Sequence, residues 1–213
     1  MKTSIASAFC AVVLTLPCLA QTAPDAAKPI KPGEVRITTR APEPDKWDGQ
    51  RSANGMVRVF KCKPLACPDA ATVTITFLKS PTRHPDPQAL EKFAKVDIPK
   101  SMRALDAARE ILTDGAEKIE TTSSKTATLK GYPAVVSETK FSRGKTTTYL
   151  ESAIVFAGPV MIRVFSTSQN RDWAKKSLDQ FVEVMNIEEG PPLPPGTDAT
   201  PGGKPPGSKD NSI

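Results

Sequence analysis

Cys62 and Cys67 are the residues whose spacing points most directly to covalent chemistry. They lie in Phe60-Lys61-Cys62-Lys63-Pro64-Leu65-Ala66-Cys67-Pro68, with four residues between them and a proline that favours a turn. Such a loop lets two α-carbons approach to disulfide distance. Closing it contributes roughly 2 kcal/mol through lost chain entropy. A redox pair would be Cys-x-x-Cys at the start of a helix with a lowered thiol pKa. The spacing here is wider and no such helix adjoins it. A structural disulfide between two strands is the expected role.

Other reactive side chains are sparse. His84 is the single histidine, in Arg83-His84-Pro85-Asp86-Pro87 just before an expected helix. An exposed loop residue is the plain reading, and a pH-responsive contact the functional one. With Cys62 and Cys67 paired, no nitrogen–sulfur ligand set for zinc is left, and no thiolate nucleophile either. No G-x-S-x-G elbow, Walker loop or G-x-G-x-x-G occurs, and Gly202-Gly203-Lys204 falls in a Pro/Gly-rich stretch. No metal and no cofactor are expected.

Carboxylates are the surviving catalytic option. Residues Ala134–Phe141 and Thr146–Phe156 flank Ser142-Arg143-Gly144-Lys145, which reads as a β-hairpin. With Arg143-Gly144 as the two-residue loop, Glu138 lies opposite Tyr149 and diagonal to Glu151, on a face shared with Lys140. Two close carboxylates can divide acid and base roles, as in glycoside hydrolysis. That register sends Val135, Phe141, Leu150, Ile154 and Phe156 to the core. The glutamates are then expected on a solvated charged face, and no catalytic residue is assigned.

Arg36, Arg40, Lys46, Arg51, Arg58, Lys61 and Lys63 gather in the N-terminal half, with Trp47 and Phe60 among them. They make a candidate surface for an acidic glycan or a phospholipid headgroup. The competing reading is a dispersed charge excess that serves solubility. Nucleic acid is not an expected partner, because the chain reads as exported.

The export signal is at the start. Lys2, an apolar run from Ile5 to Leu16, and Pro17-Cys18-Leu19-Ala20 have the pattern of a leader cut after Ala20. The apolar run falls short of the roughly twenty residues that span a bilayer. No transmembrane segment is expected after cleavage, and Thr15-Leu16-Pro17 before Cys18 fits a lipoprotein signal poorly. Cleavage removes Cys10 and Cys18, leaving one cysteine pair for an oxidising compartment. The periplasm is the expected location, with release from the cell as the alternative. The net charge of +6, less the one charge of Lys2, suits anionic envelope partners.

Four segments follow: a leader at 1–20, a flexible linker at 21–32, one domain at 33–189 and a disordered Pro/Gly-rich tail at 190–213. Within the domain, strands are expected at 35–38, 56–60 and 72–77, where Val73, Ile75 and Phe77 alternate with threonines. Asp86-Pro87 starts a helix with Leu90, Phe93 and Ala94 inward; Pro99 starts another with Met102, Leu105, Ala108 and Leu112, stopped at Gly115. Strands are expected again at 118–123, 126–129, 134–141, 146–156 and 160–166. Ser168 or Asn170 then caps a last helix with Ala174, Leu178, Phe181 and Met185 in one stripe. An antiparallel sheet packed by two or three helices makes the fold class α+β.

Gly131-Tyr132-Pro133-Ala134-Val135, the long hairpin, Gly158, the strand ending Phe165-Ser166-Thr167-Ser168 and the helix with Phe181 carry a family likeness. Residues from about 115 to 187 resemble the second half of the Mog1/PsbP-like α/β/α sandwich. That group includes small exported bacterial lipoproteins and photosystem accessory proteins. The Cys62/Cys67 segment departs from it. The resemblance implies a non-catalytic accessory or binding role in the envelope, and it transfers no functional residue. The expected function is therefore a non-enzymatic, envelope-associated binding protein. A carboxylate-dependent exported hydrolase and a secreted factor acting on another cell are the alternatives.

Overall fold

A computed structural model describes residues 29–83, 85–95 and 118–193 of the chain. Seven strands form one antiparallel sheet: β2 (Trp47–Arg51), β3 (Val57–Cys62), β4 (Ala71–Lys79), β5 (Lys118–Leu129), β6 (Tyr132–Arg143), β7 (Thr146–Ala157) and β8 (Val160–Ser168). Their spatial order is β2-β3-β4-β8-β7-β6-β5. The meander β5 to β8 is thus laid against the end of β2 to β4. A separate two-stranded pair joins β1 (Val35–Thr38) to β9 (Asn186–Glu189). Helix α1 (Pro87–Ala94) lies against β5 and β6, and α2 (Arg171–Val184) lies across β4, β7 and β8. The fold is α+β.

Strand register decides which residues meet which helix. Val73, Ile75, Ala134, Ala153, Val155, Ile162 and Val164 project to one face and are buried with Trp173, Leu178, Phe181 and Met185. Val135, Phe156 and Met161 project to the other, where Leu90 and Ala94 of α1 cover them. The face under α2 is thus the larger apolar core, and the opposite face is apolar and covered where α1 sits. The helical stripe expected from Ala174 to Met185 is the buried side of α2, whose first turn is capped by Asn170 Oδ1 accepting from the Trp173 N–H at 3.0 Å. Phe181 is the centre of an aromatic cluster, edge-on to Trp47 at 5.0 Å and tilted against Phe60 at 4.8 Å.

Several elements differ from the expectation. Strand β2 is additional: Trp47-Asp48-Gly49-Gln50-Arg51 has one apolar residue and no alternation, yet it pairs with β3 along its whole length. Gly49 belongs there because a Cβ would stand 3.2 Å from the Phe60 ring. Strand β9 is additional too, following α2 after Met185 in the polar stretch Asn186–Glu189. Strand β5 is one strand rather than two, bent by a bulge between Thr121 and Ser123. Of the first helix's inward residues, Leu90 and Ala94 are buried, whereas Phe93 is exposed and meets the edge of Phe156. The helix expected from Pro99 to Gly115, His84, the leader and the tail beyond residue 193 lie outside the described residues.

The turn of the central hairpin is Gly144-Lys145, because Arg143 pairs with Thr146. Gly144 has φ +54°, and a first turn residue with positive φ belongs to the tight turns that match strand twist. This shift by one residue puts Glu138 opposite Glu151 instead of Tyr149. Both glutamates share one face in either register, and in the structure that face carries α2.

Replacing Phe181 with alanine empties the centre of the aromatic cluster and should cost about 3–5 kcal/mol. Urea unfolding followed by tryptophan fluorescence checks this; a loss below 1 kcal/mol would mean that Phe181 does not anchor α2.

Candidate functional site

Sheet pairing, burial and α2 together create one unusual ionisable site. Glu138 on β6 and Glu151 on β7 are direct cross-strand partners, only 7% and 8% exposed. Arg171, in the first turn of α2, donates to Glu138 Oε2 from both Nε (3.0 Å) and Nη2 (2.7 Å). Thr122, on the bulge of β5, donates its hydroxyl to Glu138 Oε1 at 2.6 Å. Lys175 stands one turn further along α2; its charge acts on Glu151 while its amine donates to Asp179 at 2.7 Å.

These surroundings drive the two carboxyls apart. Burial pushes Glu151 up, the neighbouring Glu138 charge and hydrogen bond add to the push, and Lys175 and Arg171 only partly oppose it; the result is about 7. Burial also works to raise Glu138. Hydrogen bonds from Arg171 and Thr122, and the Arg171 charge, outweigh it and hold that carboxyl below its usual range. Glu138 is thus the anion of the pair and Glu151 the proton carrier, the division of roles on which acid–base pairs rely. The expectation of a solvated face is overturned, because α2 covers this face.

Two clefts lie elsewhere. The larger, of about 500 Å³, has walls from the β1/β9 pair, the β5–β6 and β7–β8 turns and residues 190–193. Phe156, Pro133, Pro159 and Leu193 give it apolar surface; Arg83, Glu34, Glu189 and Tyr132 bring polar groups. Burial, then the hydrogen bond and charge of Glu189, raises the Tyr132 phenol. The start of the Pro/Gly-rich stretch is built into this wall: Gly33 N–H donates to Pro191 O and Gly190 N–H to Glu34 O, each at 2.9 Å. A Cβ on Gly190 would collide with Lys31 O at 2.0 Å, so only glycine fits that approach. The second cleft, about 300 Å³, is lined by Lys61, Cys62, Thr72, Thr148, Thr167 and Gln169 among others. Neither includes Glu138 or Glu151.

Cys62 and Cys67 are joined in a disulfide, with α-carbons 6.3 Å apart. The seven basic residues are spread over several elements. Arg36, on the β1/β9 pair, approaches Glu188 at 3.7 Å, Lys46 approaches Glu43 at 2.5 Å, and Lys63 approaches Asp48 at 3.7 Å. Arg58 donates to Thr39 O at 2.9 Å and lies over the Phe77 ring; burial first, then the Arg51 charge, lowers its guanidinium pKa. Strand register puts Arg51 and Arg58 on the α2 face and Lys61 on the opposite one, and Arg40 is exposed in the loop after β1. Among the described residues no cluster of histidine, cysteine and acidic side chains could hold a metal ion, and no helix is long and apolar enough to cross a membrane.

Arg171, Lys175 and Thr122 were not legible as partners of the glutamates. They come from elements 16 or more positions away, and only the cap at Asn170 hinted where α2 begins.

No protein-family profile matches the sequence, and no curated protein is significantly similar to it. Solved structures are similar in fold. PsbP (CyanoP) from Synechocystis sp. PCC 6803 is 13% identical, covering 73% of this chain and 94% of its own, with a TM-score of 0.48. LpqN, involved in cell envelope biogenesis of Mycobacterium tuberculosis, is 18% identical over 74% of this chain and 86% of its own, at 0.46. A Bacteroides thetaiotaomicron protein is 12% identical over 75% of this chain, at 0.42; the chain spans about half (47%) of its length.

The carboxyl pair makes stability depend on pH with a definite sign. Glu151 binds its proton more tightly folded than unfolded, so stability falls as pH rises from the ordinary value of 4.5 to about 7, then levels off. Glu138 has the opposite shift, so its contribution is lost as pH falls below the ordinary carboxyl range. Glu151→Gln should remove the decline between pH 4.5 and 7 in thermal melts; an unchanged decline would assign it to other groups.

Proposed function

We propose that the chain is an exported, non-enzymatic accessory protein that binds a ligand or a partner's segment in the cleft beside the β1/β9 pair. The observation that carries this reading is the cleft itself. Its volume of about 500 Å³ falls in the range of ligand sites, and its walls are about evenly divided between apolar surface and polar groups that could orient a ligand. Export is supported by the leader pattern at residues 1–20 and by the single cystine. LpqN, one of the similar structures, is involved in cell envelope biogenesis.

A hydrolase using Glu138 and Glu151 is the second reading, favoured by their burial and opposed carboxyl shifts. Against it, Arg171 and Thr122 already occupy Glu138, and neither cleft is lined by the pair.

Native mass spectrometry of protein recovered from an osmotic-shock fraction should show a chain starting at Gln21 with bound mass. The bound mass should be lost in a Glu34→Arg/Arg83→Glu variant that reverses two charges of the cleft. Ligand retained by that variant places binding elsewhere, and a chain still starting at Met1 overturns the export reading.

A further inference from the structure

We propose that the disulfide-closed loop Cys62–Cys67 is a membrane-contact finger, with Leu65 entering the headgroup layer of an anionic lipid surface and Lys61 and Lys63 facing its phosphates. Lys63-Pro64-Leu65-Ala66 is a tight turn, closed by the Ala66 N–H donating to Lys63 O at 3.1 Å. Proline in second place suits this turn, but Leu65 in third place has φ +65°, where glycine or asparagine is favoured. The Leu65 side chain is fully exposed, so no packing inside the chain compensates for the strain. Strain held without internal return points to a contact outside the molecule. The cystine at the base of the loop holds the turn in place.

The surroundings indicate what that contact is. Lys61 precedes the loop and Lys63 lies within it; Lys63 is 3.7 Å from Asp48 in an exposed pair that headgroups can replace. Lys61 also lines the mostly apolar cleft of about 300 Å³, where Thr72, Thr148 and Gln169 add a few hydroxyl and amide donors of the kind a phosphate accepts from. Among the described residues the other exposed large apolar side chains are Met56, before the opposite end of β3, and Phe93 on α1. Leu65 therefore stands alone. A protein interface is centred on a cluster of apolar anchors, whereas one apolar tip next to two cations matches the polar–apolar boundary of an anionic bilayer.

The test is sedimentation of the purified protein with vesicles of phosphatidylglycerol and phosphatidylcholine, against phosphatidylcholine alone. Salt-sensitive binding to the anionic vesicles only is expected. Leu65→Gly should bind roughly tenfold more weakly yet keep or raise the thermal midpoint, because glycine accepts the positive φ. Lys61→Glu should weaken binding without lowering the midpoint. Absence of binding to anionic vesicles, undiminished binding by Leu65→Gly, or a lowered midpoint in that variant would overturn the proposal. Full release by inorganic phosphate would overturn the membrane as the source of the phosphate, and crosslinking through position 65 to a protein rather than lipid would overturn the choice of partner.

Discussion

The seating of α2 on the sheet is the constraint from which most of the molecule follows. Its apolar stripe ends in Phe181 and Met185, both nearly inaccessible, and Trp47 and Phe60 reach it from β2 and β3. One helix thereby clamps the early strands to the late meander. Lys130, at the β5–β6 turn, donates to Glu183 O at 2.9 Å and holds the other end of the helix. The cation near the C-terminal carbonyls and the asparagine cap at the N-terminus are local devices, each modest, that agree with the global packing.

The same helix explains why a carboxylate pair is tolerated in the interior. Two buried glutamates facing each other would be costly if both ionised. Arg171 neutralises one, and the other keeps its proton near neutral pH. The arrangement is a way of burying charge under a helix end, and its hydrogen bonds are spent on the protein itself. The open space of the larger cleft lies instead beside β1 and β9, away from the pair.

What the sequence showed follows the strength of its periodicities. Strands β4, β6, β7 and β8 and both described helices carry period-two or helical patterns over eight or more residues, and they were legible with their approximate ends. The strand Trp47–Arg51 was not, because pairing rather than alternation makes it a strand. The hairpin register turned on whether Gly144 occupies the first or second turn position, which a lone glycine does not decide. Alternation also cannot say which of two apolar faces lies under which helix; Val135 and Phe156 belong to one core, Ala134 and Val155 to the other. The basic residues were legible as a cluster in the chain, but the pleat divides them between opposite faces, and Arg36 meets its acidic neighbour Glu188 from a distant strand.

The antiparallel pairing of β1 with β9 has a mechanical consequence. Val35 is opposite Glu189, so the chain enters and leaves the fold at one corner, with Lys31 and Gly190 in contact. Tension applied through both extremities would load these bonds one after another, as in opening a zip. The two-strand clasp would therefore yield at low force and spare the seven-stranded sheet behind it. A tether at one extremity and a cargo at the other would share a single attachment point, leaving the far end of the sheet, with its cystine loop, free to swing outward.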